Sequence, residues 1–296
     1  MLQKLDPHLV MAFTESGFSH GNSLLIEDDV RLLIDTGATD IIPSIQPETI
    51  DIVLNSHYHI DHIRGNDLCG NAKVYLHALD AAYLQNPKRL SAIDEWEELM
   101  TINPLEGQPS VKKIAPNDVI KPYRVDGTFQ DGDQYDCGHT KLTVLHTPGH
   151  CAGHCAFFFP DSGTAFLGDI CLTKVGPWYG EADADIDAFI QSINRMIALK
   201  PDRVVTGHVG QIITENIPEV LTEYRDRILK REERIYQSLK TKAVNIHELA
   251  DQHLIYRMHP SSFVLYWEKY MLKKHLARLE QQGRAERNEE NLFRAV

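Results

Sequence analysis

Short apolar runs rich in β-branched residues open the chain at 8–13, 23–27 and 30–35, separated by Gly21-Asn22 and Asp28-Asp29 turn signals. These predict an N-terminal run of strands. The same character returns at 51–55 (DIVLN) and 73–77 (KVYLH), on either side of a polar, histidine-rich segment, and a helix is predicted from Ala78 to Leu84. Further on, 141–146, 155–159 and 164–168 read as strands, 185–199 as an amphipathic helix and 202–206 as a strand. Strands alternating with helices favour a layered α/β fold. Between Asn86 and Val125 a helix is expected at 91–102. Pro104, Pro109, Pro116 and Pro122 then break any long element, so this stretch reads as an insertion near an active-site mouth.

After Thr214 the pattern changes. Ile217, Val220, Leu221, Tyr224, Ile228, Ile235 and Leu239 recur mostly three or four residues apart, marking a long helix. Its EYRDR and KREER runs are expected to form a solvated face. Helices near 245–254 and 262–282 follow, with Gly283 as a C-terminal stop. The expected organisation is a catalytic domain over 1–214 and a small helical domain over 215–296.

Composition narrows the partners. Acidic residues exceed basic ones, 42 to 30, and the formal charge of −12 disfavours nucleic acid and anionic membrane surfaces. Five cysteines without a regular framework read as reduced thiols. The N-terminal sequence has no secretory pattern and no run of 18 apolar residues occurs, so a cytoplasmic protein is expected, with no membrane partner. Nothing in the sequence speaks to an oligomer.

The chemistry sits in SHYHIDHIRGN at 56–66, where His57, His59, Asp61 and His62 fall within six positions directly after a strand. A loop leaving a strand end lets a His-x-His pair converge on one ion while the following Asp-His pair turns to another. Three later strands end in a tight turn and a ligand type: His150 in HTPGH, Asp169 in GD and His208 in TGH. Taken singly, His150 and His208 read as ordinary surface or core histidines, and Asp169 as a turn residue. Behind His-x-His-x-Asp-His, in this order, they read as one metal centre.

This pattern resembles the metallo-β-lactamase superfamily, and specifically its glyoxalase II-like branch, over about residues 8–210. The resemblance implies an αββα sandwich with two metals at one sheet edge. It assigns His57, His59 and His150 to the first ion, Asp61, His62 and His208 to the second, and Asp169 as the bridge. Asp35, in Asp35-Thr36-Gly37, becomes a residue that orients a ligand or its loop. Two divalent ions are expected, zinc first, with iron or manganese as alternatives, since imidazole and carboxylate ligands suit all three. Ions about 3.5–4 Å apart can share a hydroxide and activate it near neutral pH. Asp61 is expected to orient that nucleophile or relay a proton. His146 and His154 are candidate hydrogen-bonding partners of the ligands. Arg64, Lys174 and Tyr179, with Trp178, are candidates for the substrate mouth, although Trp178-Tyr179 in GPWYG reads equally well as a packing corner.

The tail, with HLARLEQQGR, is similar to the winged-helix-like C-terminal unit of the β-lactamase-like endoribonuclease subfamily. Two chemistries therefore compete. The first is hydrolysis of a small-molecule thioester, ester or lactone. The alternative is cleavage of single-stranded RNA, which net charge disfavours. Persulfide-type dioxygenase chemistry at a single iron stands third.

Overall fold

The computed structural model describes residues 1–17, 19–85 and 123–296. A seven-stranded sheet runs in chain order: β1 (Leu2–Lys4), β2 (Leu9–Ala12), β3 (Ser23–Ile26), β4 (Leu32–Ile34), β5 (Ile52–Leu54), β6 (Lys73–His77) and β7 (Gly127–Phe129). Neighbours are antiparallel up to β4 and parallel from β4 to β7. A second sheet has the order β12 (Arg203–Val205), β11 (Thr164–Phe166), β10 (Cys155–Phe159), β9 (Lys141–His146), β8 (Gln134–Asp136), with only β11 and β12 parallel.

Alternation along the strands builds the layers, because successive side chains leave opposite faces. Leu9, Met11, Leu24, Ile26, Leu32 and Ile34 point inward and pack against Val144, Cys155, Phe157, Phe159 and Phe166 of the facing sheet. The intervening Val10, Leu25, Leu33 and Val53 face outward, under Ile42, Ile45, Ile50 and Cys69 of the connecting segments. On the far side, Ala156, Ala165 and Val204 pack on α3 (Ile186–Leu199) and α4 (Ile217–Leu239). Two short helices, α1 (Ile60–Ile63) and α2 (Ala78–Gln85), follow β5 and β6.

The C-terminal region adds α5 (Ile246–Ala250), α6 (Ser262–Gln281) and the hairpin β13 (Ala285–Arg287)–β14 (Phe293–Ala295). This is the α/β sandwich with a C-terminal helical region that the sequence led us to expect. One apolar cluster runs from α3 through α4 to α6 and Ala285, so the helical region shares the core of the second sheet.

Several elements differ from expectation. The helix at 245–254 ends at Ala250: Asn245 and Glu248 close a capping box at its start, and the chain turns at 251–253, with His253 at a φ of +54°. KREER is not wholly a solvated face. Arg231 and Glu232 are buried, at 2% and 4% exposure, because they lie on the same stripe as Tyr224, Ile228 and Ile235. The hairpin β13–β14 and the strands β1, β7 and β8 had no clear apolar run. The helix expected at 91–102, and most of the proline-rich stretch around it, lie outside the described residues. Among the described residues, no helix is long and apolar enough to cross a membrane.

Candidate metal centre

Every candidate ligand follows the carboxyl end of a strand, and the two sheets bring those ends to one edge. Parallel pairing of β4 with β5 sets Asp35 beside Ser56, and parallel pairing of β11 with β12 sets Asp169 beside His208. The loop after β9 carries His150.

One donor atom from each of His57, His59 and His150 lies within 4.8 Å of the others, and the same holds for Asp61, His62 and His208. Asp169 joins the two groups. Its Oδ2 lies 3.3 Å from His150 Nε2, while its Oδ1 lies 3.1 Å from His62 Nε2 and 3.4 Å from His208 Nε2. Asp61 Oδ2 is 3.1 Å from His208 Nε2. All seven sequence-predicted ligand candidates therefore converge.

Surrounding groups fix their orientation. His57 Nδ1 meets Ser56 Oγ at 3.0 Å, His62 Nδ1 meets Asp35 Oδ2 at 2.7 Å, and His150 Nδ1 donates to the Trp178 carbonyl at 3.0 Å. In each case the opposite ring nitrogen is left to face the centre. Asp35 also accepts from the Ser56 amide and hydroxyl, at 2.6 and 2.7 Å. Gly37 explains the triplet: a Cβ there would stand 1.9 Å from the Asp61 carbonyl oxygen, so only glycine lets the loops cross.

His154 Nε2 accepts the Asp169 amide at 2.9 Å, and its Nδ1 bonds Thr147. A Cβ on Gly168, at a φ of +51°, would meet His154 Nε2 at 2.7 Å, which fixes the turn that delivers Asp169. His146 is placed differently: its Nε2 bonds the Ala152 carbonyl and its ring stacks on His77. It steadies the 147–153 loop without touching a ligand candidate.

The mouth candidates divide. Arg64, half-buried, points its guanidinium to His20 Nε2 at 2.8 Å. Lys174 is exposed, in a shallow depression formed with Leu172, Thr173, Val209, Gly210 and Gln211, next to His208. Tyr179 corrects the expectation. It is fully buried, with its hydroxyl on His275 Nε2 at 2.8 Å and Arg231 at 3.2 Å, so it is a packing corner closed to a ligand. Trp178 instead reaches the centre, its ring 5.2 Å from that of His150 and 5.6 Å from that of His59.

Two residues of the surroundings escaped sequence reasoning. Asp80, buried on α2, accepts the Tyr58 amide at 3.0 Å and so tethers the middle of His57-Tyr58-His59. Only its place after a strand-helix junction hinted at a role. Arg231 donates to the carbonyls of Val175 (2.7 Å) and Pro177 (2.5 Å), which lead into Trp178. Its position on the apolar stripe of α4 was the available signal.

The electrostatics suit cations. Burial, with the neighbouring histidines, holds His57 well below the ordinary imidazole range and His59 down to about 3; burial takes His150 to about 4 against the pull of Asp169. Neutral imidazoles are the form that ligates. Burial works against a charge on His62 and His208 too. There the carboxylates outweigh it, Asp169 foremost, raising His62 and taking His208 to about 9. Asp61, despite burial, is drawn down to about 2 by His62 and His208. This group of the centre stabilises positive charge. The Nε2 atoms of His57 and His59 are buried with no hydrogen-bond partner among the described residues, a cost that a bound ion would remove. Donors, burial and charge all fit a divalent metal pair.

The thiols stay out of the centre: all five cysteines are free and buried, and Cys171 turns its sulfur to the Tyr224 hydroxyl at 3.4 Å.

Comparison with known proteins agrees with this geometry. The chain is 25% identical over 266 residues to the Beta-lactamase-like protein 2 homolog of Drosophila melanogaster, covering 86% of this chain and 80% of that protein. It is 28% identical over 162 residues to a hydroxyacylglutathione hydrolase of Brucella anthropi, covering 54% of this chain and 48% of that protein. The chain thus spans about half the length of that hydrolase. A metallo-beta-lactamase family protein from Thermus thermophilus superposes with a TM-score of 0.80 at 22% identity, over 99% of this chain and 100% of that one. The metallo-beta-lactamase superfamily model matches residues 16–208, a span that holds every ligand candidate, and the chain belongs to this superfamily, whose members are typically metal-dependent hydrolases.

Proposed function

We propose that the chain is a dinuclear metal-dependent hydrolase of a small-molecule thioester, with esters and lactones as related substrates. The division of the Asp169 carboxylate between the two histidine groups carries the dinuclear reading. His57, His59 and His150 would hold one ion, Asp61, His62 and His208 the other, and Asp169 both. Zinc is the first candidate, ahead of iron and manganese. When bound, the ions supply Lewis acidity, acidifying water and polarising a carbonyl.

The chain's own groups do the rest. Asp35, Ser56, His154 and the Trp178 carbonyl hold the ligands in place. Asp61 Oδ2, on the partly exposed side of the centre, would orient the attacking water and relay its proton towards the leaving group. As water oxygen bonds to the acyl carbon, the carbon–sulfur bond breaks and the proton passes to the departing thiolate.

The acidic surroundings favour an acyl substrate over a polyanion. Asp183 lies beside Tyr58, and three of the nearby cations are engaged, Arg227 and Arg231 with backbone carbonyls and Arg64 with His20, while Lys174 stays exposed. A second reading, cleavage of single-stranded RNA, draws support from the hairpin β13–β14 following α6, in the manner of a wing. Five buried free thiols support a reducing, cytoplasmic setting.

Protein purified without added metal, subjected to elemental analysis and assayed on a thioester, a lactone and a fluorogenic single-stranded RNA, tests the proposal. Two ions with thioester hydrolysis are expected. RNA cleavage alone would transfer the assignment to the second reading, and a single iron with oxygen consumption would overturn both.

A further inference from the structure

The helical region contributes side chains to the neighbourhood of the metal centre. Trp178, whose ring packs on His59 and His150, meets Trp267 of α6 with ring centroids 5.7 Å apart and planes at 87°. Phe263, one helical turn before Trp267, lies 6.4 Å from it. All three are half-buried, and Trp178 and Trp267 meet edge to face. Perpendicular rings of this kind offer both a face and an edge to an apolar guest.

We infer that Trp178, Trp267 and Phe263 form a subsite for the apolar acyl group of the substrate, with its carbonyl towards the metal centre. This rests on the thioester reading above and adds the acyl class: extended aliphatic or aromatic rather than short or anionic. Continuity with the centre argues for this occupant, since one tryptophan touches rings of both His59 and His150. Charge argues against a nucleotide on the same rings, because the loop beyond Trp178 carries Asp183, whose carboxylate accepts from the hydroxyl of Tyr58, the neighbour of His59. The segment around Trp178 is held on both sides: Arg231 binds the carbonyls of Val175 and Pro177 before it, and Lys274 those of Ala182 and Ala184 after it. A fixed wall can discriminate by size.

The test compares acetyl, decanoyl and benzoyl thioesters of one thiol on the metal-loaded full chain, and separately titrates decanoate and acetate by calorimetry. The decanoyl and benzoyl substrates should exceed acetyl in kcat/KM by roughly tenfold or more, the scale of apolar pocket discrimination. Decanoate should bind more tightly than acetate by a similar factor. Trp267→Ala should reduce both ratios about fivefold or more, and Trp267→Phe should restore part of each. Should Trp267→Ala not fold, Phe263→Ala tests the same subsite. Trp267-dependent decanoate binding without turnover of any thioester would uphold the subsite and remove the thioester reading. Hydrolysis with no acyl preference and equal binding of the two acids would overturn the subsite and leave the reading intact. Trp267-dependent binding of a short single-stranded oligonucleotide, with none of decanoate, would overturn the acyl assignment in favour of base stacking.

Discussion

Asp35 Oδ2 lies 2.7 Å from His62 Nδ1, and both side chains are completely out of solvent. The same carboxylate holds the Ser56 amide and hydroxyl, so one residue sets the position of two ligand candidates, His57 through its neighbour and His62 directly. Asp35→Asn keeps the shape and removes the charge that favours His62 as a ligand. Metal affinity, measured by chelator competition, should fall roughly ten- to a hundredfold. Wild-type affinity in this variant would show that Asp35 serves the fold alone.

Arg231 joins the helical region to the loop around Trp178, whose carbonyl accepts from His150 Nδ1. Arg231→Met would leave the Val175 and Pro177 carbonyls without this donor in a buried setting. Urea unfolding should register a loss of roughly 3 kcal/mol. Arg231→Lys, able to reach one carbonyl but not to fork between two, should recover only part. An Arg231→Met variant of wild-type stability would mean that water replaces the guanidinium.

How much of this was legible follows from the kind of signal each residue leaves. His57, His59, Asp61 and His62 share one loop, so local spacing exposed them. His150, Asp169 and His208 could be added because each ends an apolar strand, and strand ends are where a layered α/β fold gathers its loops. Arg231 and Asp80 were hidden because their partners are backbone groups far away in sequence, at Pro177 and Tyr58, and such pairings leave no periodicity. Tyr179 misled for the complementary reason. Its neighbour Trp178 does reach the centre, but adjacent side chains in a loop need not share a direction. The wing-like hairpin was invisible because its three-residue strands, AER and FRA, carry too few apolar positions to form a pattern.

His77 and His146 stack at 4.2 Å, with planes 10° apart, beneath the loop that carries His150. Burial, helped by His146, takes the His77 pKa from 6.5 to about 4. Because the folded value is the lower one, the unfolded chain binds the extra proton between these limits. The contribution is fully present above about pH 6.5 and is lost as the pH falls towards about 4. Denaturant titrations of metal-free protein across this window should show falling stability, and His77→Phe should flatten part of the decline. An unchanged slope in that variant would assign the acid sensitivity wholly to other groups.

Asp169 distinguishes a shared centre from two adjacent ones. Its Oδ2 faces His150 and its Oδ1 faces His62 and His208, so removing the carboxylate strips a ligand from both groups, whereas removing His208 affects only one. If the centre is shared, His208→Ala should retain about one ion per chain, while Asp169→Ala should retain less than one. Activity should follow, falling roughly a hundredfold or more for Asp169→Ala. Elemental analysis of the two variants side by side makes the comparison, because each serves as the folding control for the other. Equal metal loss would mean that the groups bind independently of the bridge, and the dinuclear reading would then lose the observation on which it stands.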